Sequence, residues 1–483
     1  MSTNIRYLEI DPTAAADASV SAPAGFAHND DGVIYGDAMK PYITLEQHSW
    51  ALNGTREVMQ ATDAVAWWDD DLSGADGTIA SPPTLTITFS QSHSSVGISL
   101  EFDTALKEWC SEVNLKWYNG STLLADEDFE PDAPLYFCEQ SVTAFNKVML
   151  TLNKTDKPYR RAKLNRIVFG LIRDFSMEQV KEGKITAQCH LVSAELPISK
   201  FSWTLIDDES VENMFMFKQP VEITNSGNLL GVYYIDETRK KARNMYDLEC
   251  IDAIGILDTS NYAGAYYSSN TSAQTMVTNV LGGEFDVTFE ATDVSLKGIV
   301  PAGTKRHALQ QILFAWGAVA TTDGVRGIRI FDLPASGETK PTEEIYTEGT
   351  IEKTAIVTQI NITTHSFSQS SSGDIDIGGT KYKDTTSVYT WNNPDAAPTD
   401  KPNVINVTDA WLVNSNNAAT VAARLAAYYA MRDTSKAKMV WTGEKLGDKL
   451  TIDNSWSDPK TGYVRVMEMI LSNVIAAQTE VQG

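Results

Sequence analysis

The sequence predicts a mainly β protein with an α+β portion in its later half. Two observations carry that class. Apolar residues alternate with period two over 85–102, 112–120, 146–154 and 162–172, with Gly, Asn and Asp turns between these runs. Helical spacing, by contrast, is confined to three later segments.

In chain order, residues 1–42 are expected to be an arm or linker, because 12–31 (PTAAADASVSAPAGFAHNDD) is small, polar and Pro-containing. Residues 43–172 read as one β unit. Within it, 81–103 predicts two strands around a Gly turn, and EWCSEVNLKWYNGSTLL predicts a hairpin on Asn119-Gly120. Residues 173–260 give strands with turn signals every eight to twelve residues, the spacing of a small barrel. Residues 261–340 hold two helices. Met276, Val277 and Val280 form one apolar face, stopped by Gly282-Gly283, and Ala308, Ile312, Leu313 and Trp316 form the other. Residues 341–483 return to strands around a long helix, 415–432, striped by Val421, Leu425, Tyr428 and Tyr429. The segments 368–384 and 392–402 are polar and read as loop insertions.

Composition limits the function. The chain has 483 residues and a formal net charge of -24. That balance disfavours specific nucleic-acid binding, which needs clustered Lys and Arg. The four cysteines (Cys110, Cys138, Cys189 and Cys250) form no CxxC pair, so buried free thiols are expected. No stretch approaches the ~18 apolar residues of a membrane span, and MSTNIRYLEI lacks a leader's basic and apolar regions. A soluble protein made in a cytoplasm is the expectation.

No nucleophile elbow, HExxH or P-loop occurs, and the histidines never fall at metal-ligand spacing. No catalytic residue is assigned, and His307 reads as part of a helix's first turn. The acid pairs Glu127/Asp128 and Asp207/Asp208 fall in turn-like stretches, and sequence cannot set them across a glycosidase cleft. The stretch WWDDDLSGADG, Trp67 to Gly77, is the densest cluster of chemistry. Asp69, Asp71 and Asp76 are the candidate ligands for a structural calcium, the only cofactor considered. Successive residues of a strand point to opposite faces, however, so a solvated turn is the first reading. Trp67 and Trp68 alternate likewise: one is expected in the core, and the other is a candidate sugar platform. Arg239, Lys240, Lys241 and Arg243 lie between two strands. A solvated hairpin is the simple reading, and a contact to an acidic neighbouring subunit is the functional one.

Two resemblances add to this. The strand Ile87–Ser90, the strand Gly97–Phe102, Val113–Tyr118 and the closing Ile167–Gly170 follow an order that resembles the discoidin-like (F5/8 type C, carbohydrate-binding-module) jelly roll, over 43–172. Some relatives of that kind hold calcium in the early loop. The bracketing cysteine or salt bridge of many relatives is not evident. From 177 to the end, the chain resembles the baseplate-hub or tail-tip hub proteins of tailed bacteriophages and related injection machines. Gly231, Tyr233, Tyr234, Ile235, Tyr246, Leu248, Asp252, Ile254, Gly255 and Leu257 carry that likeness, followed by the helix-then-GIRIF order and by Leu446-Gly447-Asp448.

The hub resemblance implies two hub-type barrels with an α+β connection, a homotrimer that joins threefold to sixfold symmetry, and a place in the virion tail. Tail-tube, tape-measure and fibre or spike proteins are the implied partners. The discoidin-like module implies a host cell-wall glycan or a tail protein as a further contact. No enzyme activity is expected, since the chain stops just after its last barrel strand. The alternative is a freestanding carbohydrate-binding adhesin or a carbohydrate-active enzyme carrying such a module.

Overall fold

The computed structural model describes the chain except residues 1–2, 11, 24, 28–41, 45, 48, 50–55, 59–66, 207–214, 216, 454–456 and 473. Strands dominate, as the alternation predicts. The residues divide into two compact units, Arg6–Asp174 and Met1–Ile5 with Phe175–Gly483.

The Arg6–Asp174 unit is built on two long antiparallel strands, Thr84–Glu101 and Leu135–Thr155. Cys110–Asn119 pairs with the second of them, and Thr122–Phe129 is the outer strand beyond it. Alternation sends Leu85, Ile87, Val113, Leu115, Trp117, Val148, Leu150 and Leu152 into one core. The Asn-Gly hairpin forms with its turn at Gly120-Ser121, where Gly120 has φ +59.

Two expectations fail in this unit. Residues 84–101 are one continuous strand, with no turn at Gly97. Gly97 is there for close approach: a Cβ would lie 2.4 Å from the Cys138 carbonyl oxygen and 2.6 Å from the Phe137 ring. Nor are residues 1–42 all arm. Thr3–Ile10, Ser19–Ser21 and Gly25–Ala27 are strands and Pro12–Asp17 is a helix; Ser19–Ser21 pairs with Thr86–Thr88. Pairing to a long strand supplies the order that small-residue composition conceals.

In the Phe175–Gly483 unit, Val180–Gln188, Lys200–Ile206, Met245–Ile251, Asn228–Ala242 and Pro220–Asn225 form one antiparallel ladder in that order. A second ladder runs Ile345–Lys353, Asp433–Val440, Ala476–Gln482, Lys460–Ile470 and Lys449–Ile452. The ladders are joined. The end of Lys460–Ile470 pairs with Val180–Gln188, from Lys184↔Ile470 to Gln188↔Val466.

The resemblance motif has a clear local form. Leu248 and Tyr233 are core residues, and Asp252 caps the short helix Ala253–Ile256 by accepting from Gly255 N. A Cβ on Gly255 would come within 2.7 Å of Ile198 Cγ2. The three predicted helices are present as Ala273–Leu281, Lys305–Trp316 and Ala418–Ala430, and the first two begin on Ser272 and Thr304 caps. Each of these two ends on a left-handed glycine, Gly282 or Gly317.

The predicted loop 368–384 is largely sheet. Ile375–Ile377 and Thr380–Asn392 form a hairpin on Gly378-Gly379, whose φ values are +60 and +82. Thr380–Asn392 also pairs with Gln359–Gln369, which pairs in parallel with Val404–Val407. Most of Thr380–Asn392 is solvent-facing, so its strand signal lacked the apolar alternation of a buried face.

Candidate binding and assembly surfaces

The WWDDD stretch begins as a short strand, Trp67–Asp69, paired with Lys163–Leu164 on one side and Gly25–Ala27 on the other. Trp67 is in the core, 1% exposed, and Trp68 is half-buried. The three candidate calcium ligands take three different roles. Asp69 is buried and burial pushes its pKa up, whereas Asp71 is exposed. Asp76 accepts from Thr78 N and Thr78 Oγ1, each at 3.0 Å, which holds its pKa down. Among the described residues no three His, Cys, Asp or Glu side chains gather as a metal site. Arg161 instead donates to the carbonyl oxygens of Asp69, at 2.8 Å, and Asp70.

Below this turn lies a charge cluster that sequence reasoning missed. Lys163 Nζ donates to Glu46 Oε2 at 2.6 Å and Glu108 Oε2 at 2.7 Å. Arg160 Nε reaches Glu108 Oε1 at 2.7 Å, and Tyr42 OH donates to Asp103 Oδ2 at 2.5 Å. All are buried. Burial works against charge on both Glu108 and Lys163, but the opposite charges prevail. The Glu108 pKa is lowered, with Lys163 as the main opposing influence, and the Lys163 pKa is raised by Glu46 and Glu108. The partners are far apart in sequence, so no local motif marks them.

The basic run falls on a hairpin, Asn228–Ala242 with Met245–Ile251, that turns at Arg243-Asn244. Residues 236–243 are all exposed. The run carries its own counter-charges: Arg239 pairs with Glu237 at 2.7 Å, Lys241 pairs with Asp247, and Lys240 sits 5.5 Å over the Tyr246 ring. The strand register could have signalled this, since Arg239 is opposite Asp247.

Other candidates take structural places. His307 lies in the first turn of its helix and contacts Asp409 Oδ2 at 2.9 Å through Nε2. Glu127 and Asp128 are exposed on the outer strand, and Asp207 and Asp208 lie outside the described residues. The four cysteines are free and buried, and burial pushes their pKa values up, that of Cys138 to about 12. Among the described residues no helix is long and apolar enough to cross a membrane.

The chain is similar to solved structures of tail proteins. One is the tail protein from Neisseria meningitidis, at 12% identity, covering 64% of this chain and 94% of that one, with a TM-score of 0.49. Another is prophage tail protein gp18 from Listeria monocytogenes, at 8% identity, 64% and 91% coverage and a TM-score of 0.42. A third is the 43 kDa tail protein of prophage MuSo2 from Shewanella oneidensis, at 9% identity, 64% and 95% coverage and a TM-score of 0.43. No protein-family model matches the chain, and no curated protein does.

Proposed function

We propose that this protein is a structural component of a phage-like tail, acting as the hub that closes the tail tube. The observation that carries the reading is the joint between the two ladders, Val180–Gln188 against Lys460–Ile470. A hub that meets a sixfold tube as a trimer must present two similar segments per chain at a fixed angle. A run of backbone hydrogen bonds between the segments supplies that rigidity. The order of hub-like motifs in the sequence supports the same reading.

In this reading the tube and tape-measure proteins are the neighbours above, and a fibre or spike protein is attached below. The 43–172 block is a discoidin-like module that contacts a glycan or another tail protein. The exposed tip at Arg239 to Arg243 is a subunit contact, made through cations that its own acids partly neutralise. No catalytic step belongs to this role, and zymography on cell walls should show no cleared band.

Mass photometry of the purified chain tests the assembly. A species at three times the 53.1 kDa chain mass is expected. A monomer at every accessible concentration that also fails to enter tail particles would sink the hub assignment.

A further inference from the structure

Within the Phe175–Gly483 unit, a cavity of about 350 Å³ lies between the antiparallel pair Ala265–Ser272/Ser295–Val300 and the sheet of Gln359–Gln369 and Thr380–Asn392. Its volume falls in the range of small-molecule sites, about 300–1,000 Å³. The lining has a consistent chemistry. Tyr266 and Tyr267 are half-buried, Ser268 and Thr386 stand for a wall rich in hydroxyls, and among the described residues no carboxylate lines it although the chain's net charge is -24. Among the described residues the exposed Lys297 is the cation on the wall.

His365, also on the wall, adds an independent observation. Its side chain is 8% exposed, and Nδ1 is held by Asp384 Oδ2 at 2.7 Å. The ring lies parallel to Trp411, at 2°, and to Phe367, at 9°, with centroids 5.8 Å away in both cases. Two flat neighbours and a carboxylate thus fix the ring, and Nε2 is buried with no hydrogen-bond partner among the described residues. An enclosed polar atom without a partner is costly, so the ring's place on the wall is set by its stacking neighbours and by Asp384.

We propose that this cavity binds a neutral sugar. A pyranose offers an apolar C–H face to a tyrosine ring, which is itself apolar in body and polar at its tip. Each sugar hydroxyl needs both a donor and an acceptor, and Ser and Thr hydroxyls rotate to serve as either. An apolar ligand would leave the wall hydroxyls unpaired, and an anion would find a single exposed ammonium. The proposal goes beyond the tail reading, because oligomeric state does not enter its test.

The test is saturation-transfer NMR on the full chain with chitotriose and maltotriose as probes and inorganic phosphate as competitor. Transfer from at least one sugar is expected. It should weaken more than about tenfold in Thr386→Val, an exposed position, with the melting temperature unchanged. Three results overturn the proposal: no transfer from either sugar at about 10 mM, tenfold above a weak affinity of ~1 mM; transfer that survives Thr386→Val; or displacement by phosphate, which would mark an anion site around Lys297.

Discussion

Glu108 and Asp252 are both buried acids, one in each unit, and their surroundings differ in kind. Glu108 faces cations, Lys163 at 2.7 Å and Arg160 at 2.7 Å. Asp252 faces neutral donors, among them Gly255 N at 2.9 Å on Oδ1 and Ser199 N and Thr322 Oγ1 at 3.0 Å on Oδ2. The pKa values go opposite ways. Burial raises both, but full charges reverse that at Glu108, whereas neutral dipoles leave Asp252 raised to about 6. Burial alone therefore does not fix the consequence. What decides is whether the partner carries a whole charge. The first site ties together distant segments around 46, 108 and 160–163. The second caps a helix and links it to the strand start at Ser199 and to Thr322.

The largest break in this comparison is expected from Lys163→Met. It leaves Glu46 and Glu108 buried side by side without their shared cation, a loss of roughly 3–5 kcal/mol. Urea unfolding of the Arg6–Asp174 region, followed by hydrogen exchange, measures it. Adding Glu46→Gln removes one stranded charge and should restore part of the loss. If Lys163→Met costs less than a surface substitution, the cluster does not hold the fold. Asp252→Ala should cost less, about 2–3 kcal/mol, because it strands neutral donors rather than charges. The same exchange experiment, read over residues 199–205 and 253–256, checks it. A loss as large as that of Lys163→Met would erase the distinction between the two sites.

How far each site was legible in the sequence follows the same division. Asp252 belongs to a short local pattern, Cys-x-Asp-x-Ile-Gly-x-Leu. Its cap on Gly255 N acts within four residues, so the motif could be read directly, whereas the crowding of Gly255 by Ile198 is not local. The helices were legible for that reason too, since caps and stop glycines are local. The Lys163 cluster joins residues separated by 117 and 55 positions, and nothing in their own neighbourhoods marks them. Gly97 shows the converse error. A glycine in a polar run reads as a turn, but its requirement comes from Cys138 on the facing strand. The strand Thr380–Asn392 was missed because a solvated sheet shows little apolar alternation.

Titration sharpens the comparison at smaller scale. Glu108 has a depressed folded pKa, so its contribution is present above the unfolded value near 4.5 and is lost as pH falls through the folded value. Asp252 has a raised folded pKa. Its contribution is therefore full below the unfolded value of 3.8 and is lost as pH rises through about 6. Glu108→Gln should cost more at pH 7 than at pH 4, and Asp252→Asn more at pH 4 than at pH 7. Each unit of pKa difference corresponds to about 1.4 kcal/mol. Denaturation midpoints of the two variants across this window are the measurement. Parallel trends would mean that the two carboxylates sit in equivalent environments.

The smallest effect is expected at the aspartates beside Trp67. Asp69 points into a buried site, Asp71 is exposed and Asp76 is occupied by Thr78, so the three do not present oxygens to one point. Calcium needs six to eight oxygens around it, and waters would have to supply almost all of them here. Calorimetry with calcium should give no binding heat, and a chelator should leave the melting temperature unmoved. Asp71→Asn should be silent in both assays. A calcium-dependent rise in melting temperature that Asp71→Asn abolishes would mean that the turn rearranges around the ion. In that case Asp76 would have to release Thr78, and the local stability of residues 69–78 would depend on an ion rather than on their own backbone hydrogen bonds.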